Sequence, residues 1–259
     1  MKKPLLMLSS LVVSVLPLSV NAHGDQAETT PDKVISEGYQ VVEVTNGGAI
    51  TGKVTFSGED PAPIEYLVTK DVEVCGKTRS LDFVKVNNGA LSDVVVYLEN
   101  VEKGKAFLEV EKQAKIEQKA CDYGPLLSVM NQGAKLEIVN ADKVAHKMHA
   151  AEVMETGTKK TMFNISQTEQ GSVSKEVKLK TGPGMKMQCE EHEFMQSFMF
   201  VAKNPYYALV AEDGTFTIED ILPGNYMVKA WHGKLKNHPQ LYVPIEAGKT
   251  IVVDFDYNK

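Results

Sequence analysis

The sequence predicts an all-β protein, and three observations predict it. Apolar residues recur at a period of two in short runs. Gly, Pro, Asn and Asp punctuate the gaps between those runs. No segment sustains a helical period apart from a weak one near Gly104–Lys115.

Taken in order, the first strand signal is Ala49-Ile50-Thr51-Gly52-Lys53-Val54-Thr55-Phe56, which alternates and stops at Ser57-Gly58. Glu59-Asp60-Pro61-Ala62-Pro63 reads as a turn. Ser92–Leu98 is a second strong strand. Met185, Met187 and Cys189 alternate with Lys186 and Gln188, so this strand carries Cys189 on its buried face. Ser197-Phe198-Met199-Phe200-Val201 resumes an apolar strand after a short loop. Asp213-Gly214 between Tyr207–Ala211 and Thr215–Ile218 is a hairpin signal. Leu222-Pro223-Gly224-Asn225 is a turn into Tyr226–Trp231, and Thr250–Phe255 is a last alternating strand.

The ends bound the rest. Residues 1–22 read as a secretory signal peptide: Lys2 and Lys3 supply the positive start, Pro4 to Val20 the apolar core, and Ala22 the small residue at the cleavage point. The expectation is a periplasmic or secreted protein with no membrane span once that peptide is removed. Residues 23–38 are polar and acidic and read as a flexible lead. Removing Lys2 and Lys3 takes the formal charge from −6 to −8, which disfavours nucleic acid as a partner and suits a basic redox partner. No G-x-S-x-G, phosphate-cradling glycine loop or HExxH is present.

Chemistry concentrates in Cys189-Glu190-Glu191-His192-Glu193-Phe194-Met195, where thiolate, imidazole and thioether recur at three-residue intervals. A second imidazole, His146, lies upstream. Two His, one Cys and a weak Met form the ligand set of a type 1 copper centre: soft sulfur holds Cu(I), while imidazole tolerates both oxidation states. The bland alternative is a core Cys, a loop His and a gap-filling Met with no metal. His149 is a rival ligand, but if residues 146–150 form a strand it faces away from His146 and Met148. A two-copper site would need a second Cys in the loop, and none is there.

These residues resemble a known family. Lys135-Leu136-Glu137-Ile138-Val139-Asn140-Ala141-Asp142, then His146, then Cys-x2-His-x2-Met, are similar to the cupredoxins, with amicyanin-like loop spacing, over roughly residues 112–203. The resemblance implies His146, Cys189 and His192 as equatorial ligands of one copper ion and Met195 as the axial ligand. It departs at Lys147, where many members carry an Asn that ties the two ligand loops together. If Cys189 is the copper thiolate, Cys75 and Cys121 remain to pair. That bridge would close a loop of roughly 46 residues, worth about 3–4 kcal/mol in the chain-entropy model. The alternative is two free buried thiols, which export disfavours.

The outer strands carry a second resemblance. Gly52-Lys53-Val54, Val94–Leu98, Glu212–Phe216 and Leu222–Tyr226 look, in that order, like strands of a carboxypeptidase regulatory-like domain, a transthyretin-like sandwich without catalytic residues. The economical organisation places the cupredoxin inside it: 39–105 and 204–259 form one sandwich and 106–203 the other. A plain tandem with an N-terminal extension is the alternative. The combination is similar to exported bacterial proteins labelled methylamine-utilisation-like.

The implied function is a periplasmic carrier of single electrons between redox partners such as a cytochrome or a dehydrogenase, and not an enzyme. The alternative is copper storage or delivery, with Met148, Met154, Met162, Met185, Met187 and Met199 as extra Cu(I) donors against a default of core packing. Cleavage after Ala22 would leave His23 as an N-terminal copper chelator, with His232 or His238 as a second donor. His232 reads more simply as a strand-end residue beside Trp231, and His238 as a loop residue.

Overall fold

The computed structural model of the chain describes residues 38–108, 113–236 and 239–257. The expected signal peptide, the expected flexible lead apart from Gly38, and His23 and His238 lie outside these residues. The order begins β1 (Gln40–Val41), β2 (Gly48–Phe56), β3 (Ile64–Leu67), α1 (Val72–Cys75), β4 (Thr78–Leu81), β5 (Val86–Asn87), β6 (Ala90–Leu91), β7 (Val94–Glu99) and β8 (Lys103–Gly104). It continues through β9 (Gln113–Gln118), β10 (Leu127–Asn131), β11 (Lys135–Asn140), β12 (His146–Val153), β13 (Lys159–Gln167), β14 (Gly171–Glu176), β15 (Gly184–Cys189) and β16 (Gln196–Ala202). It ends with β17 (Tyr207–Leu209), β18 (Thr215–Ile221), β19 (Gly224–His232), β20 (Gln240–Ile245), β21 (Thr250–Val252) and β22 (Phe255–Tyr257).

The protein is all-β. Strands β9 to β16 build a five-stranded sheet, β10-β16-β15-β12-β13, and a three-stranded sheet, β14-β11-β9. In these sheets β10 with β16 and β9 with β11 are parallel, and the other pairs are antiparallel. The alternation of β11 sends Leu136 and Ile138 inward while Lys135 and Glu137 face solvent. Their core is rich in sulfur: Met130, Met148, Met185, Met187, Met195 and Met199 are all buried with Leu136, Ile138 and Ile165. The strands before and after this block build a four-stranded sheet, β17-β7-β19-β20, and a sheet in which β2 pairs with β18, β6, β21 and β22.

β16 joins the two halves. Its run Ser197–Ala202 is buried throughout. Met199 and Val201 enter the sulfur-rich core, while Phe198, Phe200 and Ala202 enter the core of the outer sheets. Phe200 packs on Tyr97 with ring centroids 4.9 Å apart and on Trp231 at 6.0 Å. Such aromatic pairs add about 0.5–1.5 kcal/mol each beyond area burial. Gly184 is required here, because a Cβ would stand 2.6 Å from Trp231 Cη2. Lys229 crosses the same boundary, bonding Glu99 at 2.9 Å and Glu155 at 2.7 Å.

Two expectations need correction. Asp213-Gly214 does make a tight turn, with Gly214 at φ +81° and its N–H donating to Ala211 O at 2.9 Å. The strands on either side are not a hairpin, however: β17 pairs with β7 and β18 pairs with β2. The turn hands the chain from one sheet to the other, a choice that local turn chemistry does not encode. The weak helical period near Gly104–Lys115 also gives way at its two ends, to β8 and β9, while residues 109–112 lie outside the described ones. Among the described residues the one short helix, α1, falls at Val72–Cys75, where no period marked it.

Candidate metal centre

β12 and β15 are antiparallel neighbours, and their register puts Met148 opposite Cys189. His146 lies two residues before Met148 and so projects from the same face. The alternation Met185, Met187, Cys189 leaves the thiol fully buried. After Cys189 the chain turns back at once: Met195 N–H donates to His192 O at 2.9 Å and Cys189 N–H donates to Met195 O at 3.0 Å. These bonds close the loop, turn His192 under it and set Met195 beside the start of β16, where it is 2% exposed.

Three of the four expected donors converge by measured distance. Cys189 Sγ lies 3.9 Å from His146 Nδ1 and 3.7 Å from His192 Nδ1. The imidazole rings meet edge-on with centroids 5.2 Å apart. His146, Cys189 and His192 are 1%, 0% and 2% exposed. Met195 ends the same closed loop and is buried in the same core as Cys189. His149 points to the other side of β12, half-buried, with its Nε2 2.9 Å from Thr161 Oγ1. His232 ends β19, where its Nδ1 accepts from the N–H groups of Lys234 and Leu235, both at 3.1 Å.

Each ring's far nitrogen meets a carboxylate. His146 Nε2 donates to Asp142 Oδ2 at 2.9 Å, and His192 Nε2 donates to Asp71 Oδ2 at 3.0 Å. A carboxylate only accepts, so each neutral ring carries its proton on Nε2 and presents a bare Nδ1 lone pair towards Cys189. Burial holds His146 below the usual imidazole value, in the neutral form that a ligand needs. Asp142 is itself fixed. Burial opposes its charge, yet the N–H groups of Cys121 at 2.9 Å and Ala120 at 2.6 Å, with His146, hold it below the usual carboxylate value.

The residues fit copper. Two edges of the donor triangle are 3.9 and 3.7 Å and the third is at most 4.8 Å, so one ion can stand within about 2.5 Å of all three donors, close to the range of metal–sulfur and metal–nitrogen bonds. Zinc also takes Cys and His, and zinc-bound histidines commonly pair with carboxylates, so the thiolate and imidazoles alone do not separate the two metals. The Met in the same loop does, because thioether is a copper donor and not a usual zinc ligand.

Cys75 and Cys121 form a disulfide, 46 residues apart in sequence. It lies against the centre: both sulfurs are within 4.8 Å of a His192 nitrogen, and Cys121 Sγ is as close to Asp142 and His146. Ala120 and Cys121 both adopt left-handed φ, +50° and +55°, as does Asp71 at +55°. That conformation costs roughly 1–2 kcal/mol per non-glycine residue and tends to cluster at functional sites. The Lys147 departure is also resolved. Lys147 O accepts from Glu190 N–H at 2.8 Å, and the side chains of Lys147 and Glu190 pair, so backbone and charge tie the ligand loops together without an Asn.

Sequence reasoning missed Asp71 and Asp142 as partners of the histidines. Asp142 had a weak signal, four residues before His146. Asp71 had none, being 121 residues from His192.

No protein-family model and no curated protein matches the chain. Among solved structures it is similar to amicyanin from Paracoccus versutus, at 13% identity over 35% of this chain and 81% of that one, with a TM-score of 0.28. A purple cupredoxin from Nitrosopumilus maritimus is 19% identical over 34% of this chain and 99% of its own, at 0.29. A copper-containing nitrite reductase from Thermus scotoductus is 13% identical over 39% and 24%, also at 0.29. What points to copper is the donor set itself.

Proposed function

We propose that this chain is an exported mononuclear type 1 copper protein that carries single electrons, and that His146, Cys189, His192 and Met195 would hold the ion. One observation carries the reading: three buried donors meet within bonding reach of one point, and both imidazoles are turned towards it by carboxylates. Copper held there supplies a Cu(II)/Cu(I) couple. Cys189 and His146 stand on paired strands, and His192 on a loop closed by backbone hydrogen bonds, so the ligands have little freedom to move between oxidation states. Their burial excludes water.

Four protein donors would leave no open coordination position for a substrate, which supports a carrier rather than an enzyme. The outer sheets then act as a scaffold of the carboxypeptidase regulatory-like kind, and the disulfide suits an oxidising compartment. No helix among the described residues is long and apolar enough to cross a membrane.

Copper storage or delivery is the second reading, favoured by the six buried methionines of the inner core. Titration separates the two. A carrier takes up one copper per chain and exchanges electrons quickly and reversibly with a small mediator while keeping its metal under a competing chelator. A delivery protein releases Cu(I) to the chelator and takes up more than one ion.

A further inference from the structure

Between β2 and β5 the chain leaves the outer sheets and folds over the metal centre. β3 and β4 pair as an antiparallel hairpin, with α1 at its tip. The hairpin is fastened at several points. Cys75 is bonded to Cys121. Asp71, the residue just before α1, accepts from His192. Lys70 pairs with Glu191, and Arg79 donates to Ala120 O and lies 5.7 Å from the centroid of the Phe194 ring. Tyr66 packs on Phe194 at 6.4 Å. The hairpin thus grips the loop Glu191–Gln196 that carries two of the candidate ligands. The consequence is visible in exposure: the His192 side chain is 1% exposed, while that of Asp71 is 24% exposed.

We propose that the hairpin Ile64–Leu81 is a lid over the metal centre, pinned by the Cys75–Cys121 disulfide and latched by Asp71, which positions His192. This rests on the proposed function only in naming the centre's metal. The lid itself is a property of the polypeptide. Three features make it a device rather than ordinary packing. It is a local hairpin whose exposed side carries Leu67 and Val72, 76% and 42% exposed, so one face is free of the rest of the fold. Its latch is a hydrogen bond to a candidate ligand rather than to the scaffold. Its main fastening is a covalent bond that reductants break, and breaking it leaves the hairpin held by polar and aromatic contacts and by Val68, Val74 and Leu81 against the inner core. Closed, the lid keeps solvent and large molecules from the His192 edge, so an outside partner meets Asp71 and the hairpin first. Opened, it bares His192 and releases its far nitrogen from the carboxylate.

Cys189 supplies a reporter that needs no metal. The chain has three cysteines, and with Cys75 joined to Cys121 the only thiol is Cys189, which is fully buried. The rate at which iodoacetamide alkylates Cys189 in the metal-free folded protein therefore reads lid opening. Asp71→Asn, which removes a charge-assisted hydrogen bond, should speed alkylation about tenfold or more. Cys75→Ser with Cys121→Ser should speed it about a hundredfold. If the double variant does not fold, Arg79→Ala, which leaves the disulfide in place, should also speed the reaction. Alkylation at the wild-type rate in every folded variant overturns the lid.

The positioning role has its own readout. Copper-loaded Asp71→Asn should shift the thiolate-to-Cu(II) absorption and move the equilibrium with a fixed redox mediator about tenfold towards Cu(I), because a negative charge that favours Cu(II) is gone. Asp71→Glu should restore part of the shift. An unchanged spectrum and equilibrium in Asp71→Asn overturns the positioning role. If the wild-type protein binds no copper but the alkylation series behaves as stated, the copper reading fails and the lid stands.

Discussion

The Met195 carbonyl accepts a hydrogen bond from the Cys189 N–H at 3.0 Å, joining the first and last residues of the ligand loop. The loop is a closed ring of backbone, so a side-chain change within it alters the donor without releasing the others. Met195→Leu should therefore still bind copper. It should raise the reduction potential, because a weak sulfur donor to Cu(II) is replaced by an apolar group of similar volume. Voltammetry of the loaded variant checks the direction; loss of copper would show that Met195 is needed to build the site.

Lys147 ties the two ligand segments mainly through its carbonyl, which accepts from Glu190 N–H at 2.8 Å. Its ammonium group pairs with Glu190 at the surface, where ion pairs contribute little. Lys147→Ala should leave both the melting temperature and the copper spectrum unchanged. Glu190→Pro deletes the donor and should weaken copper retention. Equal effects from the two changes would place the tie in the side chains.

Phe200 packs on Tyr97, Tyr207 and Trp231 from a strand whose opposite face enters the core that holds Cys189. Phe200→Ala should cost about 3–5 kcal/mol. Denaturant titration followed by Trp231 fluorescence and by far-UV signal checks it. Coincident transitions are expected, since β16 belongs to both cores.

Much of this was legible because the relevant signals were local. The alternation around Cys189 and along β11 and β2 placed those strands, and Cys-x2-His-x2-Met marked a loop by its own spacing. Cys75 and Cys121 were left as a pair only after Cys189 was assigned. What the sequence hid were relations between distant segments. Asp71 reaches His192 only because a disulfide folds the hairpin over the loop, and no periodicity reports that. The crossing at Asp213-Gly214 looked like a hairpin because the same turn serves strands that pair elsewhere. The Lys147 tie runs through backbone, so the missing Asn overstated the loss.

Glu152 gives a pH test away from the centre. Burial opposes its charge, but the N–H groups of Thr181, Gly182 and Lys180 all donate to Oε1, at 2.7, 2.7 and 3.0 Å, and hold it below the usual carboxylate value. A group whose folded value is lowered adds stability that is fully present above its unfolded value, about 4.3. That stability is lost as pH falls through the folded value. The melting temperature of Glu152→Gln should lie below wild type at neutral pH, and the gap should begin to narrow as pH falls below about 4.3 and close only below the lower folded value. A gap constant with pH would mean that the charge plays no part.

The covalent and metal assignments of the cysteines stand together. Peptide mapping without reductant should find Cys75 joined to Cys121 and Cys189 free. A disulfide containing Cys189 would overturn the copper assignment.

The most direct test of the central claim is the visible spectrum of the purified protein titrated with Cu(II), read against copper content. One copper per chain with intense thiolate-to-Cu(II) absorption, abolished in Cys189→Ser while the fold is kept, is the result this account predicts. A folded wild-type protein that stays colourless at full copper loading, or whose colour survives Cys189→Ser, would contradict it.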